Sequence, residues 1–179
     1  MTQTTMKRQI MNKKGFKTPE IRRAYYQSPI GTIKIVGTES GITSLIFAKS
    51  NSTKLLPVHP CLKNVLKQLE EYFKGRRKEF KQNLILQGTH FQKQVWRELL
   101  KIPYGKTASY KDVAAAIGRD KAVRAVGNAN RVNKIGLIIP CHRVIGSNGK
   151  LVGYGGGLWR KKWLLEHEQK FSAAKRERK

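Results

Sequence analysis

Acidic side chains are scarce in this chain of 179 residues, where 11 Asp and Glu stand against 37 Lys and Arg for a formal charge of +26. That excess goes beyond solubility needs and points to neutralisation of phosphates on nucleic acid or of an anionic membrane surface. Long apolar runs are missing as well. None reaches the roughly 18 residues of a membrane span, and Met1 to Lys17 is polar and cationic without the apolar stretch of a signal peptide. The expectation is an intracellular, cytoplasmic protein with nucleic acid as its favoured partner and no membrane contact. Cysteine is limited to Cys61 and Cys141 with no Cys-x-x-Cys, which argues against a disulfide framework or a cysteine-rich zinc module. His59, Cys61 and His90 are the spare soft ligands of the N-terminal half and do not make a spaced set of four, so no metal and no cofactor are expected.

What is present supports a folded protein, since 39% hydrophobic residues suffice for a core. Residues 1–20 read as a basic leader. Arg22–Ser28, Ile30–Gly37 and Ile42–Ala48 are β-rich and separated by Ser-Pro and Glu-Ser-Gly turn signals, which predicts an antiparallel meander. Pro60 then opens a helix with Leu62, Val65, Leu66, Leu69, Tyr72 and Phe73 on one face. Phe80–Leu86 reads as one further strand, and Gly88-Thr89 as a hinge into a second unit.

The second unit starts with a helix over about Phe91–Lys101 that breaks at Pro103-Tyr104-Gly105. Ser109, three residues before Asp112, forms a capping-box pattern opening Tyr110–Ile117. Gly118 ends that helix, and Asp120 is placed to cap Lys121–Asn130. Two short helices joined by a Gly turn outline a helix-turn-helix, although packed helix pairs also occur in proteins that never touch DNA. Ala122, Ala125, Gly127 and Ala129 strip the second helix of bulk while Arg124 and Arg131 project from it. Either tight helix packing or close approach to DNA accounts for that.

Pro140-Cys141-His142-Arg143 follows the apolar run Leu137-Ile138-Ile139, so a thiol and an imidazole are read as emerging side by side from a strand-like segment. From Lys121 through Leu165 there is no Asp or Glu. A purely cationic surround favours thiolate over thiol and attracts polyanions.

These blocks identify a family. Phe91-Gln92-Lys93-Gln94-Val95-Trp96, Ile102-Pro103-Tyr104-Gly105-Lys106-Thr107, Ser109-Tyr110, Arg124-Ala125-Val126-Gly127, Asn133, Ile139-Pro140-Cys141-His142-Arg143-Val144, Gly153-Tyr154 and Leu164-Leu165-Glu166-His167-Glu168 resemble, in order and spacing, the O6-alkylguanine-DNA alkyltransferases. The match covers about residues 88–168, while residues 1–87 agree only in general layout. The resemblance implies an α+β fold: a small N-terminal ribonuclease H-like α/β domain over 21–87, then a mostly helical, winged-helix-like domain over 88–169 holding the site, then a basic tail over 170–179.

The resemblance also implies a reaction, the irreversible, single-turnover transfer of an alkyl group from O6 of guanine, with O4-alkylthymine as a further substrate, onto Cys141. Sulfur must attack as thiolate. His142 is implied as its base through a bridging water, Glu168 as the carboxylate behind the imidazole, and Asn133 as the group fixing the cysteine's backbone. A strand would turn adjacent side chains to opposite faces, which suits a water relay. Tyr110 is implied to crowd the phosphate and donate to guanine N3, and Arg124 to fill the gap left by the extruded base. Arg131, Lys111, Arg119 and Ser147 match DNA-facing positions. Val144, Tyr154, Gly155 and Gly156 match the substrate pocket, with the carbonyls of Cys141 and Val144 as acceptors for guanine N2.

Gly155 stands where some relatives carry serine, and Gly136 where others carry proline. The implied partner is double-stranded DNA containing O6-alkylguanine, bound by a protein monomeric in its absence. Two other readings are a damage sensor that binds alkylguanine without transfer, and a winged-helix regulator with an incidental thiol. The first is opposed by Cys141. The second leaves Tyr110, Asn133, Cys141, His142 and Glu168 unexplained together.

Overall fold

A computed structural model describes residues 19–48 and 57–173, so most of the leader and of the tail lie outside the described residues. Three strands, β1 (Arg22–Ser28), β2 (Gly31–Thr38) and β3 (Gly41–Phe47), form the predicted antiparallel meander. Their period-2 alternation turns Ala24, Ile33, Ile35 and Leu45 inward, all buried. At the β2–β3 turn Gly41 has φ +150°, and a Cβ there would stand 2.5 Å from the Asn83 carbonyl oxygen. Glycine is required at that position.

Helix α1 (Pro60–Phe73) covers the sheet. Pro60 sits in its first turn and the His59 side chain caps it by accepting from the Cys61 amide. Leu62, Val65, Leu69, Tyr72 and Phe73 are buried at three- and four-residue spacing, so Leu69→Ala would cost about 2–5 kcal/mol. Buried Gln68 on the same face holds the next segment, donating to the Lys81 carbonyl at 3.0 Å and accepting from the Lys81 amide at 2.7 Å.

The strand expected over Phe80–Leu86 does not form. A single parallel bridge joins Leu84 to Ile42, with Ile42 N donating to Asn83 O and Ile85 N to Ile42 O. The segment is tied down by the Gln68 side chain and one bridge rather than by a ladder. Further along the same edge of β3, Leu45 N donates to Lys134 O at 2.7 Å and Gly136 N to Leu45 O at 2.9 Å. This pairing joins the sheet to the second unit. It also accounts for glycine rather than proline at 136, because proline has no amide to donate.

The second unit contains α2 (His90–Leu99), α3 (Tyr110–Ala116) and α4 (Val123–Arg131). Capping boxes at Thr89/Gln92 and Ser109/Asp112 satisfy the first amides of α2 and α3. Gly118, at φ +68°, ends the turn after α3. Asp120, expected to cap the next helix, instead lies inside a 3-10 turn over Asp120–Ala122, and Ala122 precedes α4 without a side-chain cap. Trp96 Nε1 donates to the Ala129 carbonyl at 2.9 Å and locks α2 onto α4. Two-residue strands β4 (Ala108–Ser109) and β5 (Val144–Ile145) pair in parallel. Helix α5 (Leu158–Ala173) closes the unit and continues past residue 169, where a tail was expected to begin. No helix among the described residues is long and apolar enough to cross a membrane.

Candidate active site

The backbone that delivers Cys141 is not a strand, contrary to the expectation. Leu137 has φ +66°, Ile138 N donates back to Gly136 O, and Cys141 N donates back to Ile139 O, so the run folds through successive tight turns. Leu137, Ile138 and Ile139 are buried at 1%, 6% and 0% exposure, and that enclosure explains an apolar run with no alternation. Residues Cys141–Arg143 then form a 3-10 turn, so successive side chains rotate by about 120° rather than alternating. Cys141 and His142 accordingly diverge while remaining on one short turn.

Cys141 is buried, and its sulfur accepts from Asn133 Nδ2 at 3.2 Å. The same amide donates to Ile139 O at 3.0 Å, while Asn133 Oδ1 accepts from Ile135 N at 2.9 Å. One Asn side chain thus fixes both the thiol and the loop carrying it. Burial pushes the Cys141 thiol up, and the Asn133 hydrogen bond and the Lys161 charge only partly offset it. The cationic surround, expected to favour thiolate over thiol, acts in that direction through Lys161. Desolvation outweighs the field, so the thiol keeps its proton until a base removes it.

His142 keeps one ring nitrogen free of protein partners among the described residues. It is fully buried, its Nε2 lies 3.0 Å from Glu168 Oε1, and its Nδ1 has no partner among the described residues. Burial lowers its pKa despite the opposing pull of Glu168, so the imidazole is neutral near pH 7 and able to accept a proton.

Glu168 is also buried and takes five donors. Oε1 accepts from Tyr72 Oη at 2.8 Å, His142 Nε2 at 3.0 Å and Arg143 Nη2 at 2.9 Å; Oε2 accepts from Arg143 Nε at 2.9 Å and Gly105 N at 3.0 Å. Burial would raise the carboxyl, but His142 and Arg143 hold it well below the usual carboxylate range. The bidentate Arg143 guanidinium reaches Ile102 O through Nη1 at 2.6 Å as well.

Lys161, unassigned by the sequence reading beyond its charge, is fully buried. Its Nζ donates to Val144 O at 2.6 Å, Val152 O at 2.7 Å and Gly153 O at 3.3 Å. It sits 5.8 Å from the Tyr110 ring centre, and burial lowers it to about 8 although Cys141 pulls the other way. The Val144 carbonyl, expected to await a guanine amine, therefore already accepts from this ammonium. The signal was present: Lys161, Leu164, Leu165 and Glu168 follow helical spacing on the inward face of α5. Arg143 and Tyr72, read as a motif residue and a core residue, belong to the same hydrogen-bonded group.

Tyr110 opens α3, and its hydroxyl donates to Val152 O at 3.2 Å. Gly127 on α4 faces its ring, with a Cβ there at 3.9 Å from Cε1. Burial raises the Tyr110 phenol, with Cys141 as the next contributor. The pocket glycines differ. A Cβ on Gly156 would stand 2.8 Å from both the Phe47 and Tyr154 rings, whereas on Gly155 the nearest atom is Arg131 O at 4.0 Å. Tyr154 is raised well above its ordinary value, by burial first and then by Cys141.

Lys111, Arg119, Arg124, Arg131 and Ser147 are all exposed, and the four cations have no carboxylate partner among the described residues. The structure brings half-buried Asn133 onto buried Cys141, sets buried His142 and Glu168 beside them with Tyr110 at the edge, and leaves these five on the outside. His59 and Cys61 touch at 3.1 Å, but no three His, Cys, Asp or Glu side chains among the described residues group as a metal site.

Comparison with known proteins agrees with this layout. Residues 90–170 match the DNA-binding domain of 6-O-methylguanine DNA methyltransferase, and residues 21–86 match its ribonuclease-like domain. A methylated-DNA–protein-cysteine methyltransferase of Methanosarcina barkeri is 46% identical over 148 residues, covering 80% of this chain and 94% of the relative. The crystal structure of the O6-methylguanine methyltransferase of Mycobacterium tuberculosis superposes with a TM-score of 0.76 at 43% identity, covering 84% of this chain and 94% of that one. A structure of the Mycobacterium tuberculosis protein in complex with DNA gives a TM-score of 0.75 at 45% identity, with 84% and 93% covered. A buried thiol, imidazole and carboxylate beside an exposed basic helix pair, in a chain matched over both domains, show that this protein belongs to the 6-O-methylguanine DNA methyltransferase family.

Proposed function

We propose that this protein repairs DNA by direct dealkylation, moving one alkyl group from O6 of guanine, or O4 of thymine, onto Cys141. The observation that carries the reading is the geometry at the buried Cys141, whose sulfur accepts from Asn133 Nδ2 at 3.2 Å and whose chain neighbour His142 is a buried imidazole. His142 presents an unpartnered Nδ1 while its Nε2 rests on ionised Glu168.

The thiol proton passes through one water to His142 Nδ1, and the imidazolium formed is stabilised by Glu168. The thiolate then attacks the alkyl carbon in line. The S–C bond forms as the C–O6 bond breaks, its electron pair goes to the guanine, and Tyr110 gives a hydrogen bond or proton at N3 to make the base a better leaving group. The thioether is stable, so each molecule acts once. Lys161 holds the Val144, Val152 and Gly153 carbonyls in place and adds positive charge near the sulfur as it ionises.

The target base is inside the duplex and must be extruded. Arg124, exposed on α4, fills the vacated stack, while Lys111, Arg119, Arg131 and Ser147 meet phosphates. An Ala- and Gly-rich helix suits a minor-groove approach with little sequence preference. Residues 21–87 and 88–169 act as the supporting and reacting units of a cytoplasmic protein that is monomeric without DNA.

Incubation with a duplex bearing one O6-methylguanine tests this. Intact mass should show one methyl gained per protein molecule, with repair stopping at one equivalent. A retarded duplex with protein mass unchanged would instead establish a damage sensor.

A further inference from the structure

Tyr72 belongs to the N-terminal unit, yet its side chain ends in the reacting one. Its hydroxyl donates at 2.8 Å to Glu168 Oε1, the same oxygen that holds His142 Nε2, across 96 positions of sequence. The residue is fully buried. Its ring packs against Phe73 at 5.3 Å, Phe80 at 5.4 Å, His167 at 5.4 Å and Tyr104 at 6.0 Å between centres, and its carbonyl accepts from His167 Nε2 at 2.9 Å. Little freedom remains for the phenol to do anything but face the carboxylate.

We propose that Tyr72 is a positioning residue for alkyl transfer, through which the N-terminal unit fixes the Glu168 carboxylate and tempers its hold on the His142 imidazole. The proposal rests on His142 serving as the base for Cys141. A buried phenol needs an acceptor, and any backbone carbonyl would satisfy packing alone. Here the acceptor is the oxygen that governs the base. Each donor to a carboxylate makes it less basic, so the phenol limits how strongly Oε1 stabilises an imidazolium. The base thereby stays neutral at rest and ready to take the thiol proton.

The other groups facing this pair are Arg143 on the cysteine's turn, Tyr104 after α2, Cys141, Tyr154, and Lys161 and His167 on α5. None of them changes when only the Tyr72 oxygen is removed.

The test uses the full chain with Tyr72→Phe, which keeps the ring and deletes the donor. The His142 ring, followed by NMR, should titrate about one unit higher, the scale of one lost hydrogen bond to a charged group. The acid limb of the transfer rate should move up by the same amount, because a protonated imidazole cannot act as base. A folded variant whose His142 titration and acid limb coincide with wild type would reduce Tyr72 to packing and overturn the proposal.

Site-specific 3-fluorotyrosine at position 72 covers the case in which Tyr72→Phe does not fold. It strengthens the donor at nearly constant shape, so His142 should titrate lower, and an unchanged titration would overturn the proposal equally. Wild-type protein left unmethylated by a lesion duplex would sink the repair reading itself, while the His142 titration would still decide what Tyr72 does.

Discussion

Arg143 and Arg124 carry the same guanidinium 19 positions apart and live in opposite surroundings. Arg143 is buried against Glu168 and the Ile102 carbonyl, whereas Arg124 stands exposed on α4 with no hydrogen-bond or ion-pair partner among the described residues. The contrast extends to their regions. Around Cys141 the Asn133, Arg143, Lys161 and Glu168 side chains are paired inside the protein, while His142 Nδ1 and Tyr104 Oη have no hydrogen-bond partner among the described residues. On the helix pair, cations are left uncompensated. The buried region is organised before any ligand arrives, while the exposed one keeps its cations available to an anion from outside.

The sharpest way to break the organised side is Glu168→Gln. Removing one partner of a buried ion pair strands the Arg143 charge, so stability should fall by about 3–5 kcal/mol in urea melts. Because Glu168 is held well below its ordinary value, the native state binds fewer protons than the unfolded chain. Its stabilisation is therefore complete above about pH 4.3 and lost as pH falls toward the native value. The acid-side loss of stability should flatten in the Gln variant; an unchanged profile would show that another carboxylate dominates.

On the open side, Arg124→Ala should leave stability nearly unchanged. It should slow repair of duplex at least about tenfold, some 1.4 kcal/mol of a flipping cost of a few kcal/mol. Reaction with free O6-methylguanine base should hold steady, and equal losses on both substrates would refute the stack-filling role.

A further contrast, ending on the smallest effect, separates the neighbouring glycines 155 and 156. Gly156→Ala forces a Cβ against Phe47 and Tyr154 and should cost about 1–3 kcal/mol in melting experiments. Gly155→Ala meets open space and should change stability by less than about 0.5 kcal/mol. Equal effects would mean that the wall rearranges freely.

What could be read from the sequence follows from how local its causes are. The cap at Ser109 and the α1 face are set within one or two turns, and the sequence pattern places them correctly, whereas Thr89, read as part of a hinge, proves to be the cap of α2. The motif around Cys141 names the residues that the structure gathers, yet its backbone was misjudged. A run such as Leu137-Ile138-Ile139 carries no period, and only its burial on every side distinguishes a folded loop from a strand. Asp120 was misplaced as a cap because a 3-10 turn intervenes before α4. The link from Tyr72 to Glu168 joins residues far apart in sequence, and no local pattern encodes it. Lys161 lay within reach, since a lysine at an inward helical position must find acceptors there.

The central claim is that one buried sulfur receives the alkyl group after losing its proton to His142. Peptide mapping by mass spectrometry, after complete repair of a duplex holding one O6-methylguanine, tests it most directly. The account predicts a single methyl on the peptide carrying Cys141 and none on that carrying Cys61. A repaired base with Cys141 unmodified, or with the methyl on Cys61, would contradict it.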